Sequence, residues 1–222
     1  MLKKENVSLS VIRRLPRYHR FLADLMRSGI TRISSKELSR RMGLTASQIR
    51  QDLNCFGGFG QQGYGYNVEQ LHREIGVILG IDKQYPAIVV GAGNIGRAIA
   101  LNFDFSQMGF EMIGIFDINP SIIGMPIRDL TVADVAGIEA FCQKHHPRIA
   151  VLTVSRSAAA EMAEKLIHLG VSGFWNFSHY DFSAKYPGVI VENVHLSDSL
   201  MTLCYMVKDL SEKGTSIEVL KD

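Results

Sequence analysis

The 222-residue sequence predicts an α/β protein in two modules: a small, mainly helical one with a β-hairpin, and a larger one built on a parallel sheet and closed by a terminal helix. Three observations predict it. Charge divides the chain, with 13 Lys/Arg against 6 Asp/Glu in residues 1–80 and 11 against 16 in the remainder. Residues 16–56 hold three short stretches of helical periodicity separated by glycines. From residue 87 onward, apolar runs of strand length alternate with helical stretches, the rhythm of a parallel sheet with crossover helices.

Composition excludes several classes. No apolar run approaches the roughly 20 residues of a membrane span, and the opening MLKKENVSLS lacks the apolar core of a signal peptide. Cys55, Cys142 and Cys204 are odd in number and widely spaced. Neither a metal site nor a disulfide framework is expected from them, and a reducing cytoplasm is the expected setting. A basic first third joined to an acidic remainder suits a polyanionic partner for the first module.

In that first module Pro16 marks a helix start. Tyr18, Phe21, Leu22, Leu25 and Met26 follow at helical spacing, and Gly29 supplies a stop. Ser34 with Glu37 forms a capping-box pattern that opens a second short helix, ended by Gly43. Thr45 with Gln48 repeats the pattern and opens a third helix, ASQIRQDLNCF. There Ala46, Ile49, Leu53 and Phe56 share one face, while Ser47, Gln48, Arg50, Gln51 and Asn54 occupy the others. Helix, glycine turn, helix is the helix-turn-helix pattern. Arg, Gln, Asn and Ser are the side chains that read base edges in the major groove of duplex DNA.

The next stretch, NCFGGFGQQGYGYNV, places five glycines directly after that helix. Phe56 and Phe59 can anchor it to a core. Residues 60–63, Gly-Gln-Gln-Gly, can turn a hairpin because glycine accepts positive φ, and Tyr64-Gly65-Tyr66 alternates as a return strand. The result is a winged helix-turn-helix, with Gln61, Gln62 and Tyr64 on the wing as DNA contacts beside Ser47, Arg50 and Gln51 on the helix. Asn67 caps a further helix in which Val68, Leu71, Ile75 and Ile78 are spaced for packing. The module is expected to span residues 1–80, with a linker at 81–86.

The second module, expected over 87–195, opens with AIVVGAGNIGRAIA: an apolar strand, then Gly91-x-Gly93-x-x-Gly96, then a helix. The first glycine makes a tight turn, the second lets a pyrophosphate approach, and the third lets helix and strand pack closely. Backbone amides across Gly91, Ala92, Gly93, Asn94, Ile95 and Gly96 would hold the phosphates at the helix N-terminus. A second strand, MIGIFD, ends in Asp117, whose carboxylate can accept from both hydroxyls of an adenosine ribose and would repel a 2′-phosphate. Ile118 and Asn119 offer no arginine for such a phosphate, so NAD(H) is favoured over NADP(H). The rhythm continues with a helix TVADVAGIEAFCQ, a strand IAVLTV, a helix SAAAEMAEKLIHLG and strands GFWNFS and VIVENV. This is a Rossmann-like parallel sheet. Thr153, Val154 and Ser155, and Asn176, Phe177 and Ser178, fall at strand ends and could line the nicotinamide half, or could be turn residues only.

No catalytic residue can be nominated. His145, His146, His168, His179 and His195 have no visible acid partner or neighbouring nucleophile. After the nucleotide module only the tail 196–222 remains, with Leu196, Leu200, Leu203, Cys204, Val207 and Leu210 at helical spacing. Its apolar face must be buried in its own chain or in a second subunit. The alternatives are an NAD-dependent oxidoreductase carrying a nucleic-acid-binding domain and a regulator sensing another nucleotide such as CoA.

Along almost its whole length the chain resembles the redox-sensing transcriptional repressor Rex family, through RRLPRYHRFL, RISSKELSRRMGLTASQIRQDLNCFG, GFGQQGYGYNV, VVGAGNIGRAIA, FDINPSIIG, LTV and NF. The resemblance implies a homodimer that binds operator DNA when NADH is scarce and releases it when NADH binds. It also implies that the C-terminal helix is exchanged between subunits. It puts Ser47, Arg50, Gln51, Gln61 and Gln62 on DNA, and Gly91, Gly93, Gly96 and Asp117 on the dinucleotide. Phe103 falls near the nicotinamide, where the family often has tyrosine. Ser155 departs from a usual proline. His195 departs from an acidic residue thought to pair with an arginine whose position is Arg20 here.

Overall fold

The computed structural model describes residues 7–57, 59–61 and 64–213, and the chain divides into two compact units between Lys83 and Gln84. The first unit contains α1 (Leu9–Ile12), α2 (Leu15–Arg27), β1 (Arg32–Ile33), α3 (Ser35–Met42), α4 (Ala46–Asn54), β2 (Gly60–Gln61), β3 (Gly65–Asn67) and α5 (Val68–Leu79). Local chemistry sets these boundaries. Ser34 Oγ accepts from the Glu37 amide and Thr45 Oγ1 from the Gln48 amide, each at 3.1 Å, and Asn67 Oδ1 accepts from the Gln70 amide at 2.9 Å. Each bond satisfies one of the amides that a helix start leaves without a partner. Gly43 closes α3 in the left-handed region. The core gathers Leu15, Tyr18, Leu22, Leu38, Ile49, Leu53, Leu71 and Ile75, all at most 1% exposed.

The expected hairpin is present and is joined by a strand the periodicity did not reveal. β1 pairs antiparallel with β3, which pairs antiparallel with β2. Gly65 permits this: a Cβ there would lie 2.6 Å from the Ile33 carbonyl oxygen, and its φ is +69°. Gln62 and Gly63 lie outside the described residues, and of Gln61 only the strand backbone is described. Residues 81–83 form a 3-10 turn, and Tyr85 already belongs to the first strand of the second unit.

That unit contains β4 (Tyr85–Val90), α6 (Asn94–Asn102), β5 (Phe110–Asp117), β6 (Pro126–Ile127), β7 (Leu130–Asp134), α7 (Ile138–His145), β8 (Ile149–Leu152), α8 (Arg156–His168), β9 (Gly173–Asn176), β10 (Ile190–Asn193) and α9 (Leu196–Glu212). The sheet order is β10-β9-β8-β4-β5-β7-β6, parallel throughout except at β6. Strand residues alternate between two cores. Ile88, Val90 and Leu152 meet Ile138, Cys142 and Leu166 on one face, and Val89, Ile115 and Val151 meet Ile99 and Ala100 on the other. From β4 the chain winds outward through β5 and β7, then returns to β8 on the opposite side of β4. The crevice at the C-terminal ends of β4 and β8 is therefore the switch point where ligands bind in such sheets.

One expected helix is corrected. TVADVAGIEAFCQ was expected to be helical throughout, but its first residues extend as β7, with Val132 paired to Ile115 and buried. Asp134 then accepts the Ala136 amide at 2.8 Å, opening a 3-10 turn, so the α-helix begins only at Ile138. A buried apolar residue flanked by threonine and alanine suits either period, and pairing to β5 decides it.

Candidate functional site

Two surfaces carry the candidate residues, one in each unit. In the first, α4 turns Ile49 and Leu53 into the core and leaves Ser47, Arg50, Gln51 and Asn54 exposed. Arg50 Nη1 donates to Ser35 Oγ at 3.1 Å, so its guanidinium rests beside the first turn of α3. Arg17 caps the other end of α3 by donating to the Met42 carbonyl. Tyr64, directly before β3 in the hairpin's connection, is 71% exposed, and its carbonyl accepts from Arg32 at 3.4 Å. Exposed Ser, Arg and Gln on the capped helix α4, with Tyr64 on the hairpin, can place hydrogen-bond donors against base edges and phosphates.

The buried side of α4 holds a charge that the periodicity gave no reason to expect. Asp52 is 1% exposed. It accepts from Arg14 through Nε and Nη2, each at 2.7 Å, from Tyr18 Oη at 2.7 Å and from Gln48 Nε2 at 2.8 Å. Gln48 therefore turns inward from the exposed face. Burial pushes the Asp52 carboxyl up, but the hydrogen bonds from Arg14, Tyr18 and Gln48 together outweigh it and hold the group below the usual carboxylate range.

In the second unit the loop between β4 and α6 is built around its glycines. Gly91 has φ +99°, and a Cβ there would lie 2.8 Å from the Thr153 carbonyl oxygen. A Cβ on Gly96 would fall 1.8 Å from the Gly91 carbonyl oxygen, so only hydrogen lets helix and strand meet. At Gly93, the N-cap of α6, a Cβ would meet nothing within 4 Å. Open space there, beside first-turn amides that have no acceptor within the helix, is what a phosphate needs. Asn94 and Ile95 are exposed at this end.

Asp117 closes the loop. Its Oδ2 accepts from the Ala92 amide at 2.5 Å and its Oδ1 from the Asn119 amide at 2.8 Å. Each oxygen keeps a further lone pair, and the residue lines a cavity of about 220 Å³ with Ile118, Val135, Val154, Ala158, Met162 and a second carboxylate, Glu161. Val135, Ala158 and Met162 come from the turn before α7 and from α8, and only the folded sheet brings them to Asp117. A carboxylate on a mainly apolar slot suits a ribose diol with a flat base beyond it.

The remaining candidates divide. Thr153 Oγ1 donates to the carbonyls of Gly91 at 2.6 Å and Val90 at 3.2 Å, so it braces the loop. Ser155 caps α8, accepting from the Ala158 amide at 3.4 Å. Asn176 is fully buried and its amide is fully committed. It donates to Tyr180 O and Asn193 Oδ1 and accepts from the Ser178 amide and hydroxyl, leaving nothing for a ligand. Phe103 and Phe177 both pack on Trp175, with ring centroids 5.6 and 4.7 Å away. Trp175, which the sequence reading passed over, thus joins them into one aromatic cluster on the α6 face of the sheet. An apolar groove of about 320 Å³, lined by Ala87, Phe105, Val151, Trp175 and Ile190, runs beside it.

Two features adjoin this unit's C-terminal end. His195, the residue before α9, stacks on His179 with ring centroids 5.7 Å apart, and its Nδ1 is buried without a hydrogen-bond partner. The helix itself buries no residue, and Leu196, Leu200, Leu203 and Val207 are all more than half exposed. Among the described residues, no helix is long and apolar enough to cross a membrane.

Comparison with known proteins covers both surfaces. Residues 6–54 match the family described as "Putative DNA-binding protein N-terminus", and residues 82–180 match the CoA binding domain family. The chain is 52% identical over 212 residues to the redox-sensing transcriptional repressor Rex of Clostridium acetobutylicum, covering 96% of this chain and 99% of the relative. It is 55% identical over 209 residues to the protein of the same name from Caldanaerobacter subterraneus subsp. tengcongensis, covering 94% and 93%. Among solved structures it is similar to RSP in complex with β-NAD+ and operator DNA, at 51% identity and TM-score 0.85 over 95% of this chain and 97% of that one. It is similar also to RSP in complex with β-NADH, at 48% identity and TM-score 0.85 over 96% and 100%.

Proposed function

The chain belongs to the Rex family of redox-sensing transcriptional repressors, and from that premise we propose that it binds operator DNA through α4 and the hairpin, and that NADH binding in the second unit releases it. Asp117 carries the reading. A carboxylate anchored to the Ala92 amide, lining a mainly apolar cavity in the same glycine loop that leaves open space at Gly93, fits an adenosine ribose joined to a pyrophosphate. The same carboxylate disfavours CoA, whose ribose carries a 3′-phosphate, although the fold is shared with CoA-binding domains. Like charges at hydrogen-bond distance oppose binding.

Each residue then has a task. The amides of Asn94 and Ile95 and the bare Cα of Gly93 meet the phosphates. Asp117 accepts from the ribose hydroxyls, while Ile118 and Val154 flank the base. Phe103 and Phe177 present apolar rings to the nicotinamide. When bound, NADH supplies a neutral ring where NAD+ supplies a cationic one, and apolar neighbours disfavour the cation through desolvation. In this reading NADH acts as a signal and is not consumed, in keeping with relatives named as transcriptional repressors.

The functional unit is a homodimer in the cytoplasm. α9 presents an apolar stripe that its own chain leaves exposed, and exchange of that helix with a second subunit would cover it. A hundredfold loss of operator affinity requires about 2.7 kcal/mol of coupling, and by reciprocity DNA weakens NADH binding by the same factor. The test is a titration of a duplex–protein complex with NADH and then NAD+. Release by NADH at concentrations where NAD+ leaves the complex intact is expected, with the absorbance of NADH unchanged throughout. Equal release by both forms, or oxidation of the NADH, would overturn the reading.

A further inference from the structure

Asp52 occupies a place where a carboxylate is unfavourable. It lies on the buried side of α4, 1% exposed, beside Ile49 and Leu53. Four hydrogen bonds meet it, and their sources differ. Arg14 precedes α2 and supplies a planar two-pronged fork, Tyr18 stands within α2, and Gln48 stands one turn earlier on α4. Ion pairs of this kind are weak evidence for stability, because apolar residues of similar volume often serve as well. What they supply is direction.

Direction matters for α4. The apolar seam of Ile49 and Leu53 resists separation of the helix from the core, but contacts of this kind are non-directional and constrain rotation poorly. A rotation of about 30°, less than a third of one residue's turn, moves a side-chain atom ~6 Å from the helix axis by about 3 Å. Hydrogen bonds to base edges tolerate only about 0.5 Å. The bidentate fork from Arg14 has one good geometry, and Tyr18 Oη and Gln48 Nε2 fill the remaining approaches to the carboxylate.

We infer that Asp52 is a positioning residue: held by Arg14, Tyr18 and Gln48, it fixes the rotation of α4 about its own axis and so aims Ser47, Arg50 and Gln51 at base edges. The inference rests on the DNA-reading role proposed above. It makes the buried charge a device for sequence discrimination and not for stability. Non-specific attraction to the duplex comes from the basic surface and needs no such aim.

The test uses the full chain and two duplexes, one selected by the wild-type protein from a random-sequence pool and one scrambled from it. The double variant Arg14→Met/Asp52→Leu is expected to fold, with a melting temperature lowered only by the Tyr18 hydroxyl left without its acceptor, and to bind the scrambled duplex with unchanged affinity and salt dependence. Its affinity for the selected duplex is expected to fall at least about tenfold, the scale of one lost base contact. Arg14→Lys, which keeps the charge but loses the fork, is expected to lose a smaller part of the same preference. A folded double variant that keeps the wild-type preference overturns the inference. Should the double variant fail to fold, an unchanged preference in Arg14→Lys overturns it equally. A wild-type protein that selects no sequence from the pool sinks the DNA-reading role itself, and that outcome is visible before any variant is made.

Discussion

Thr153 and Gly91 are joined by a 2.6 Å hydrogen bond from the threonine hydroxyl to the glycine carbonyl, and that carbonyl oxygen is the atom a Cβ on Gly96 would strike at 1.8 Å. One backbone oxygen therefore holds three elements in register: the end of β4, the end of β8 and the first turn of α6. Gly96→Ala is expected to displace the loop, destabilise the second unit by about 1–3 kcal/mol as overpacking does, and abolish measurable NADH binding. Thr153→Val leaves the Gly91 carbonyl without its donor, at a cost of about 1–3 kcal/mol. Thermal denaturation with calorimetric NADH titration checks both. A Gly96→Ala protein with wild-type melting and affinity would show that α6 packs elsewhere.

Asp117 divides its work between the Ala92 amide and the proposed ribose. Asp117→Ala is expected to weaken NADH and NAD+ alike, by ten- to a hundredfold, since a lost charge-assisted hydrogen bond is worth about 1.5–3 kcal/mol. DNA binding by the ligand-free variant should be unaffected, giving a repressor that stays on DNA at NADH concentrations that release the wild type. Release at the wild-type concentration would remove Asp117 from the ribose site.

His19 of α2 and His72 of α5 stack with ring centroids 3.9 Å apart. Burial lowers the pKa of both, and for His19 the neighbouring His72 lowers it further. Folded-state values below the ordinary histidine value of about 6.5 mean that the unfolded chain binds more protons as pH falls through that point. Stability of the first unit is therefore full above neutral pH and declines as pH drops below about 6.5, until the folded-state values are reached. Urea denaturation from pH 8 to pH 5 is expected to show this slope, His72→Phe to reduce it, and the double variant His19→Phe/His72→Phe to flatten it. An undiminished slope in the double variant would assign the effect to other groups.

The exposed stripe of α9 gives a separate expectation. Truncation after Val194 should convert a dimer to monomers in sedimentation velocity and reduce affinity for a two-half-site duplex. Leu200→Lys with Leu203→Lys should do the same while keeping the helix. A truncated chain that remains dimeric, with undiminished affinity for the duplex, would refute the α9 interface.

What the sequence disclosed and what it withheld follow the range of the interactions. Caps at Ser34, Thr45 and Asn67 were legible because donor and acceptor lie three residues apart. The glycine loop was legible because strand, turn and helix are contiguous. Asp52 was not, because its partners Arg14 and Tyr18 lie 38 and 34 residues away and nothing local marks them. Trp175 was passed over for a similar reason: its neighbour Phe103 belongs to another crossover. Asn176 read as a ligand candidate from its place at a strand end, yet Asn193 and Ser178 occupy its amide once β10 pairs with β9.

The sheet order also sets a timetable for synthesis. The first unit draws its whole core from residues before 83, so it can fold soon after residue 83 leaves the ribosome. β4 cannot do likewise. Its residue Ile88 pairs on one side with Gly114, but on the other with Ala150 of β8, and β8 waits in turn for β9. Through that interval the run Ala87–Val90 offers an unpaired apolar edge, the kind of surface chaperones bind and aggregates grow from. A nascent chain released early would carry a finished first unit and an unfinished sheet, with neither the nucleotide site nor α9.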